Sequence, residues 1–490
     1  MGEKKPTRRD FLKFGAGAAG AAFLAACGSG VPATPAASGN GGVPGSAGSA
    51  ATTAPAAAAA TAVPAAASAA PAADSGAGAV LWGLKYDPHV EAYGRLADLF
   101  KKTTGTEIKV EPQDWPLETK MIAALAAGAQ PDVVCIMGKV LLPLHLQKAL
   151  LPLTEAVFKA KGVDPVKDFV GDAIGAYTYQ NEIWGVPVES NQVGQVVNVP
   201  VDDVKAAGLA EKYPPTNGKL YFESYDDMWA LAKALQVTKD GKVTRWGLSS
   251  KGWDTQSYLG ILRSLGGTWW DNNAKKFGIN SDAGIQAMKL FAETPVKMGI
   301  ETELDQTHVD AALAGKVAIA RGNGTPAVQG LDLGYHFELA GAPRVKPGVD
   351  PLFIGEGGWG FAAPAKSKHP DVSLKFLQMM CTEEGQMAYA QIYSGLLGYA
   401  WAGFKNDTKR FKNDNPNNPN VKASKFYTGL LSQTQYYGEG YGYISQIEKA
   451  GGDTCSLVRQ GKIDSATAVK QFQDLCEAQY KQFLEDSKKV

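Results

Sequence analysis

Between residues 79 and 137 the chain alternates strand and helix patterns, and this alternation limits the fold more than any other feature. Ala79-Val80-Leu81-Trp82-Gly83 is a strand candidate. From Pro88 to Thr103, Val90, Tyr93, Leu96, Ala97 and Phe100 fall on one helical face, and Gly105 ends the run. Thr106 to Val110 alternates like a strand. Val133-Val134-Cys135-Ile136-Met137, after Pro131-Asp132, is a continuous apolar run, as expected of a strand covered on both faces. Strand, helix, strand, helix, strand describes a doubly wound α/β layer. The pattern predicts further helices over 225–235, 281–298, 309–314 and 370–380, and two C-terminal helices around Gly461. Asp240-Gly241 reads as a hairpin turn, and Val317 to Ala320 as a strand.

The first 74 residues are a different material. Lys4, Lys5, Arg8, Arg9 and Lys13 precede a mild apolar run, Phe14 to Ala26, which is too short to span a membrane. A basic start, a short apolar run and small residues describe an export signal. Arg8-Arg9-Asp10-Phe11-Leu12-Lys13 resembles a twin-arginine signal, and Leu24-Ala25-Ala26-Cys27 resembles a lipobox, which implies cleavage before Cys27 and lipidation of its sulfur. Residues 28–73 contain no charge, aromatic, Leu or Ile; they are largely Ala with recurring Pro and Gly. Such a stretch cannot bury enough apolar surface to offset its ordering entropy, so 27–78 reads as a lipidated cysteine and a disordered tether. A flexible chain of that length spans on the order of 35–40 Å.

The 490-residue chain has 49 basic and 49 acidic residues. That balance argues against a nucleic-acid partner. Without residues 1–26 the count becomes 44 basic to 47 acidic, a net of −3. Enzyme signatures are missing: there is no HExxH, GxSxG or P-loop, and the five histidines lack metal-ligand spacing. Gly355-x-Gly357-x-x-Gly360 matches a dinucleotide fingerprint literally, but Phe361-Ala362-Ala363-Pro364 continues it as a strand rather than opening a helix. No cofactor or catalytic residue is therefore expected. Cys135 and Cys381 read as core residues, and Cys455 and Cys476, in neighbouring helices, could bridge.

The positive signal is aromatic. Several of the ten Trp sit among polar and Gly neighbours: Asp114-Trp115, Gly252-Trp253-Asp254, Trp269-Trp270-Asp271 and Gly358-Trp359, with Tyr86-Asp87 alike. Sugars need flat apolar rings for their C–H faces and carboxylates, amides or guanidinium groups for their hydroxyls.

From about 79 onward the chain resembles the extracellular solute-binding proteins of ABC importers, family 1, the carbohydrate-binding group that includes maltose-binding proteins. The resemblance rests on Leu96-Ala97-Asp98-Leu99-Phe100, Gly128-Ala129-Gln130-Pro131-Asp132-Val133-Val134, Leu150-Leu151-Pro152-Leu153-Thr154 and Asn181-Glu182-Ile183-Trp184-Gly185-Val186-Pro187. Val196-Val197-Asn198, Gly315-Lys316-Val317-Ala318-Ile319-Ala320, Gly357-Gly358-Trp359-Gly360-Phe361 and Ser367-Lys368-His369-Pro370-Asp371 continue it in order. It implies an α/β, two-lobed periplasmic-binding-protein fold (type II) with hinge strands and the ligand cleft between lobes. The first lobe would comprise 79–190 plus 341–382, and the second 191–340 plus 383–490.

By the same resemblance, ligand groups would be Tyr86, Asp87, Lys139, Glu189, Asn191, Arg321 and Asn323. The family's aromatic after the Gly-Lys-Val-Ala strand is missing, since Gly322-Asn323-Gly324 stands there. Trp253, Trp270 and Trp359 would stack on sugar rings, while Asp271 and Glu356 would join Asp87, Glu189, Asn191 and Arg321 at hydroxyls. The expected partners are a carbohydrate ligand and an ABC importer permease, with membrane contact through the lipid anchor alone. The expected receptor is monomeric, on the extracytoplasmic face of the cell membrane. Two other readings stay open: the same fold binding a polyamine, phosphoester or metal chelate, and a twin-arginine-exported enzyme.

Overall fold

The computed structural model describes residues 78–114, 117–190, 192–193, 195–214, 222–271, 273–355, 357–393, 398–406, 434–436, 442 and 444–488. Arg8, Arg9, Cys27 and the tether lie outside the described residues, as do Trp115, Asn191 and Glu356 and most of the polar stretch 405–420.

The alternation at the start of the folded region builds half a sheet. Strand β1 (Val80–Leu84) leads into helix α1 (Asp87–Thr104), then β2 (Lys109–Gln113), α2 (Leu117–Ala127) and β3 (Val133–Met137). Gly105 takes the left-handed conformation that ends α1, at φ 73°, and its N–H donates to the Lys101 carbonyl. β1 pairs in parallel with β2 and β3, and all five residues of β3 are buried, as its unbroken apolar run requires. Asp132 fastens the sheet: its carboxylate accepts from Val80 N at 2.8 Å, Ser367 Oγ at 2.7 Å and His369 N at 2.9 Å.

After strand β4 (Val186–Pro187) the chain builds a second sheet and core. β5 (Val196–Pro200) precedes α3 (Tyr225–Leu235), β6 (Lys242–Ser249), α4 (Asp254–Ser264), β7 (Val317–Gly322) and β8 (Phe337–Ala340). Ser224 caps α3 by accepting from Asp227 N. The second sheet runs in the order Val237–Lys239, β6, β7, β5, β8. β6 and β7 are parallel, while β5 runs antiparallel to both β7 and β8. The chain then returns: β9 (Trp359–Ala362) slots antiparallel between β3 and β4, giving the first sheet the order β2, β1, β3, β9, β4. Helices α5 (Pro370–Met380), α6 (Glu383–Tyr393), α7 (Ile444–Arg459) and α8 (Ser465–Ser487) follow.

Each sheet carries its own apolar core. One gathers Leu81, Tyr93, Leu96, Phe100, Phe361 and Phe376; the other gathers Val197, Leu259, Phe291, Ile319, Ile447 and Phe472. The result is a two-lobed α/β protein.

Three expectations change. The departure from the first lobe near Cys381 lies further on. Helix α6 packs on α1, and Tyr389 and Ala400 join the first core, because the apolar side of α6 needs that cover. The second lobe regains the chain by Ile444. The single helix over 281–298 is instead two helical pieces, Asp282–Met288 and Thr294–Lys297, joined by a π-type turn; Pro295 lacks the N–H that a continuous helix would use. Cys455 and Cys476 are both buried but free, and the Cys455 Sγ lies 3.9 Å from the Met288 sulfur instead. Gly360, by contrast, is inside β9 as its strand-like continuation predicts, so the glycine run has no helix N-terminus to offer a pyrophosphate.

Candidate functional site: a cleft between two sheets

In open α/β sheets, ligands meet the loops beyond the carboxyl ends of parallel strands. The loops after β1 and β3 carry Tyr86 and Lys139; those after β6 and β7 carry Trp253 and Asn323. Side-chain hydrogen bonds link the two lobes at Tyr86 and at Lys139. The Tyr86 hydroxyl accepts from Gln329 Nε2 at 3.5 Å. Lys139 Nζ donates to Glu448 Oε2 at 3.0 Å and stands 5.8 Å from the centroid of the Trp253 ring. Glu448 is held by its own lobe, since Oε1 accepts from Gln256 Nε2 at 2.7 Å and its carbonyl accepts from Thr255 Oγ1.

Behind Tyr86 lies a buried aromatic cluster. The His89 ring sits edge-on to Tyr86 at 5.6 Å and to Trp359 at 5.1 Å. Glu189 is 2% exposed; its Oε1 accepts from the Tyr389 hydroxyl at 2.6 Å and lies 3.7 Å from His89 Nε2. Its Oε2 is buried without a protein hydrogen bond, and an unsatisfied buried acceptor is costly. Glu189 thus retains acceptor capacity at the base of the cleft.

The second lobe braces its cleft loops from inside. His308 Nδ1 is 2.7 Å from the Lys251 carbonyl, and Asn323 N donates to His308 Nε2 at 3.2 Å. That pair of contacts requires a neutral ring with the proton on Nδ1. Burial pushes the His308 pKa below its ordinary value, in the same sense. Glu301 accepts from Ser250 N at 2.6 Å, and burial raises its pKa to about 7 against the opposing pull of Arg459.

The predicted site residues divide. Tyr86 lies at one of these two inter-lobe contacts and Lys139 and Trp253 at the other, while Glu189 and Trp359 are buried around His89 behind Tyr86. Asp87 opens α1 beside them. Arg321 does not face a ligand: it is 1% exposed inside the second lobe, donates to Gln195 Oε1 at 3.0 Å and Tyr225 OH at 3.2 Å, and lies over the Phe291 ring. A guanidinium can be buried there because aromatic faces and two acceptors replace its water. Trp270 packs edge-on against Phe277 at 4.8 Å and Tyr480 at 4.7 Å, and the Asp271 carboxylate closes its own turn on Asn273 N and Ala274 N. The Asn323 side chain likewise accepts from Thr325 N. Sequence reasoning missed His89, Gln256, Gln329 and Glu448; each reads as an ordinary helix residue, and only the Lys139–Glu448 pairing across the lobes reveals a role.

Residues 86–387 match the model of the bacterial extracellular solute-binding proteins. The chain belongs to that family. No curated protein matches it. Solved structures of solute-binding proteins share its fold. The GacH receptor of Streptomyces glaucescens, solved unliganded and with acarbose, is 18% identical with a TM-score of 0.64, over 83% of this chain and 98% of that one. UgpB from Mycobacterium tuberculosis, solved with glycerophosphocholine, is 18% identical with a TM-score of 0.67, over 84% and 100%. An ABC transporter solute-binding protein from Thermotoga lettingae, bound with α-D-tagatose, is 16% identical with a TM-score of 0.65, over 82% and 99%. These relatives are binding proteins rather than enzymes. In a solute-binding protein the chemistry of the cleft is recognition, and rings, carboxylates and amides at strand ends suffice for it. Among the described residues, no helix is long and apolar enough to cross a membrane.

Proposed function

We propose that the protein is the extracytoplasmic substrate-binding component of an ABC importer. It captures a sugar or oligosaccharide between its lobes and hands it to the permease. Twin-arginine export and a lipid on Cys27 would hold it at the outer face of the membrane, with residues 28–78 as the tether. A ligand that touches both lobes binds the closed form better and shifts the population toward it.

The observation that carries this reading is the state of the cations. Lys139 is paired with Glu448 and Arg321 is sunk in the second core, while Tyr86 and Trp253 stand at the cleft with the Glu189 carboxylate buried behind Tyr86. Rings and acceptors, with one cation paired and the other buried, suit an uncharged, hydroxylated solute better than a phosphoester. UgpB, with its glycerophosphocholine, keeps the phosphodiester as the second reading. Isothermal titration against mono- and oligosaccharides, with glycerophosphocholine alongside, tests the two. Micromolar or tighter binding of a sugar, weakened about ten- to a hundredfold in Trp253→Ala, is the expected result. Binding of glycerophosphocholine alone would transfer the assignment.

A further inference from the structure

The Lys139–Glu448 pair joins the two lobes. Lys139 follows β3 of the first sheet, and Glu448 sits on α7 of the second core. Both side chains are well shielded, at 13% and 17% exposure. The second lobe builds its half by itself: Gln256 orients the Glu448 carboxylate, and the Trp253 ring lies under the position of the ammonium. A carboxylate aimed by an amide beside an aromatic face is a socket for an ammonium. The ammonium that fills it belongs to the other lobe, so the socket is filled where the lobes meet and emptied as they part.

We propose that Glu448 is a specificity-determining residue, which keeps the closed cleft selective for uncharged ligands by capturing the Lys139 ammonium. This rests on the solute-binding reading of the cleft. An anionic ligand would have to break the pair and then lie against the Glu448 carboxylate, a like-charge contact. A hydroxylated neutral ligand does neither. The same pair steadies the closed arrangement of the empty protein.

The test uses the full folded chain as wild type, Glu448→Gln, Lys139→Gln and the double variant. Glycerol 3-phosphate is the anionic probe and a panel of neutral sugars is the comparison. A glutamine at 448 still has a carbonyl for the Gln256 amide, so the local frame is kept. Glu448→Gln should gain about tenfold or more in glycerol 3-phosphate affinity at low salt, and the double variant should lose that gain. No gain in Glu448→Gln, a gain that survives in the double variant, or strong glycerol 3-phosphate binding by the wild type would each overturn the proposal. A wild type that binds no sugar would sink the function proposed above, but would leave the comparison of variants with the anion readable. Small-angle X-ray scattering of the ligand-free protein gives a second readout, independent of Glu448→Gln. Lys139→Gln should have a larger radius of gyration than the wild type at low salt, a difference that shrinks in about 1 M KCl, where the wild-type pair is itself weakened. Equal radii at low salt would refute capture between lobes.

Discussion

Glu301 sits behind the loop that carries Trp253, with its carboxylate on the Ser250 amide. Its pKa of about 7 lies above the ordinary carboxylate value because burial disfavours the charged form. Between the ordinary value and about 7, the folded state therefore holds a proton that the unfolded state has released. Stability from this group is complete below that window and is lost as pH rises through it. Glu301→Gln should remove the effect. The stability difference, wild type minus variant, should fall by roughly 1 kcal/mol per pH unit across the window, measured by urea unfolding at stepped pH. A difference that is flat with pH would show that Glu301 is charged in the fold. Asp132 runs the other way. Burial would raise its pKa, but the Ser367 hydroxyl and the Val80 and His369 amides outweigh it and hold it low, so its contribution is lost as pH falls.

Among the elements, β9 matters most to the site. It carries Trp359 into the cluster behind the cleft and closes the first sheet between β3 and β4. The strand fits because Gly360 has no side chain. A Cβ there would lie 2.5 Å from the Tyr177 ring and 2.7 Å from the Val186 carbonyl. Tyr177 cannot retreat freely, since its hydroxyl donates to the Ile136 carbonyl at 2.7 Å. Gly360→Ala should therefore destabilise the protein by about 1–3 kcal/mol in urea unfolding. It should also weaken ligand binding, because Trp359 is the next residue. A variant as stable as the wild type would mean that the strand has room to shift. The element-level surprise is α6, which the chain order suggested for the second lobe. Its buried residues Gln386 and Tyr389 bond to Pro187 and Glu189 of the first lobe, and this contact could not be read from the helix pattern alone.

At the scale of the whole molecule, closure is the expected working motion. Saturating ligand should reduce the radius of gyration and raise the unfolding free energy by about 2.7 kcal/mol at a hundredfold excess over Kd. A ligand that binds without either change would contradict a two-lobed capture. All four cysteines among the described residues are buried, in both lobes, and burial pushes their thiols up. They should stay unreactive toward a thiol reagent in the native protein and react only on global unfolding. Reaction of Cys455 or Cys476 under native conditions would reveal local opening of α7 and α8.

The sequence by itself determined the alternating elements, the buried strand 133–137, the capped helices and the motif order of the family. All of these are local: periodicity of apolar residues, a capping Ser224, a terminating Gly105. It also offered candidates, Tyr86, Lys139 and Glu189 through the family resemblance and Trp253 through its Gly and Asp neighbours. The tertiary structure alone decided which charged side chains are buried and which pair across the lobes. Arg321, Trp270 and Asp271 carry the same residue-type signal as Lys139 and Trp253, but Arg321 is buried in the second lobe, Trp270 packs on Tyr480 and Asp271 closes its own turn. Glu448 lies 309 residues from Lys139, and nothing local to either residue announces the other. Charge pairing across two lobes depends on how separate sheets meet, and that is set by burial of both cores together rather than by any short stretch of chain.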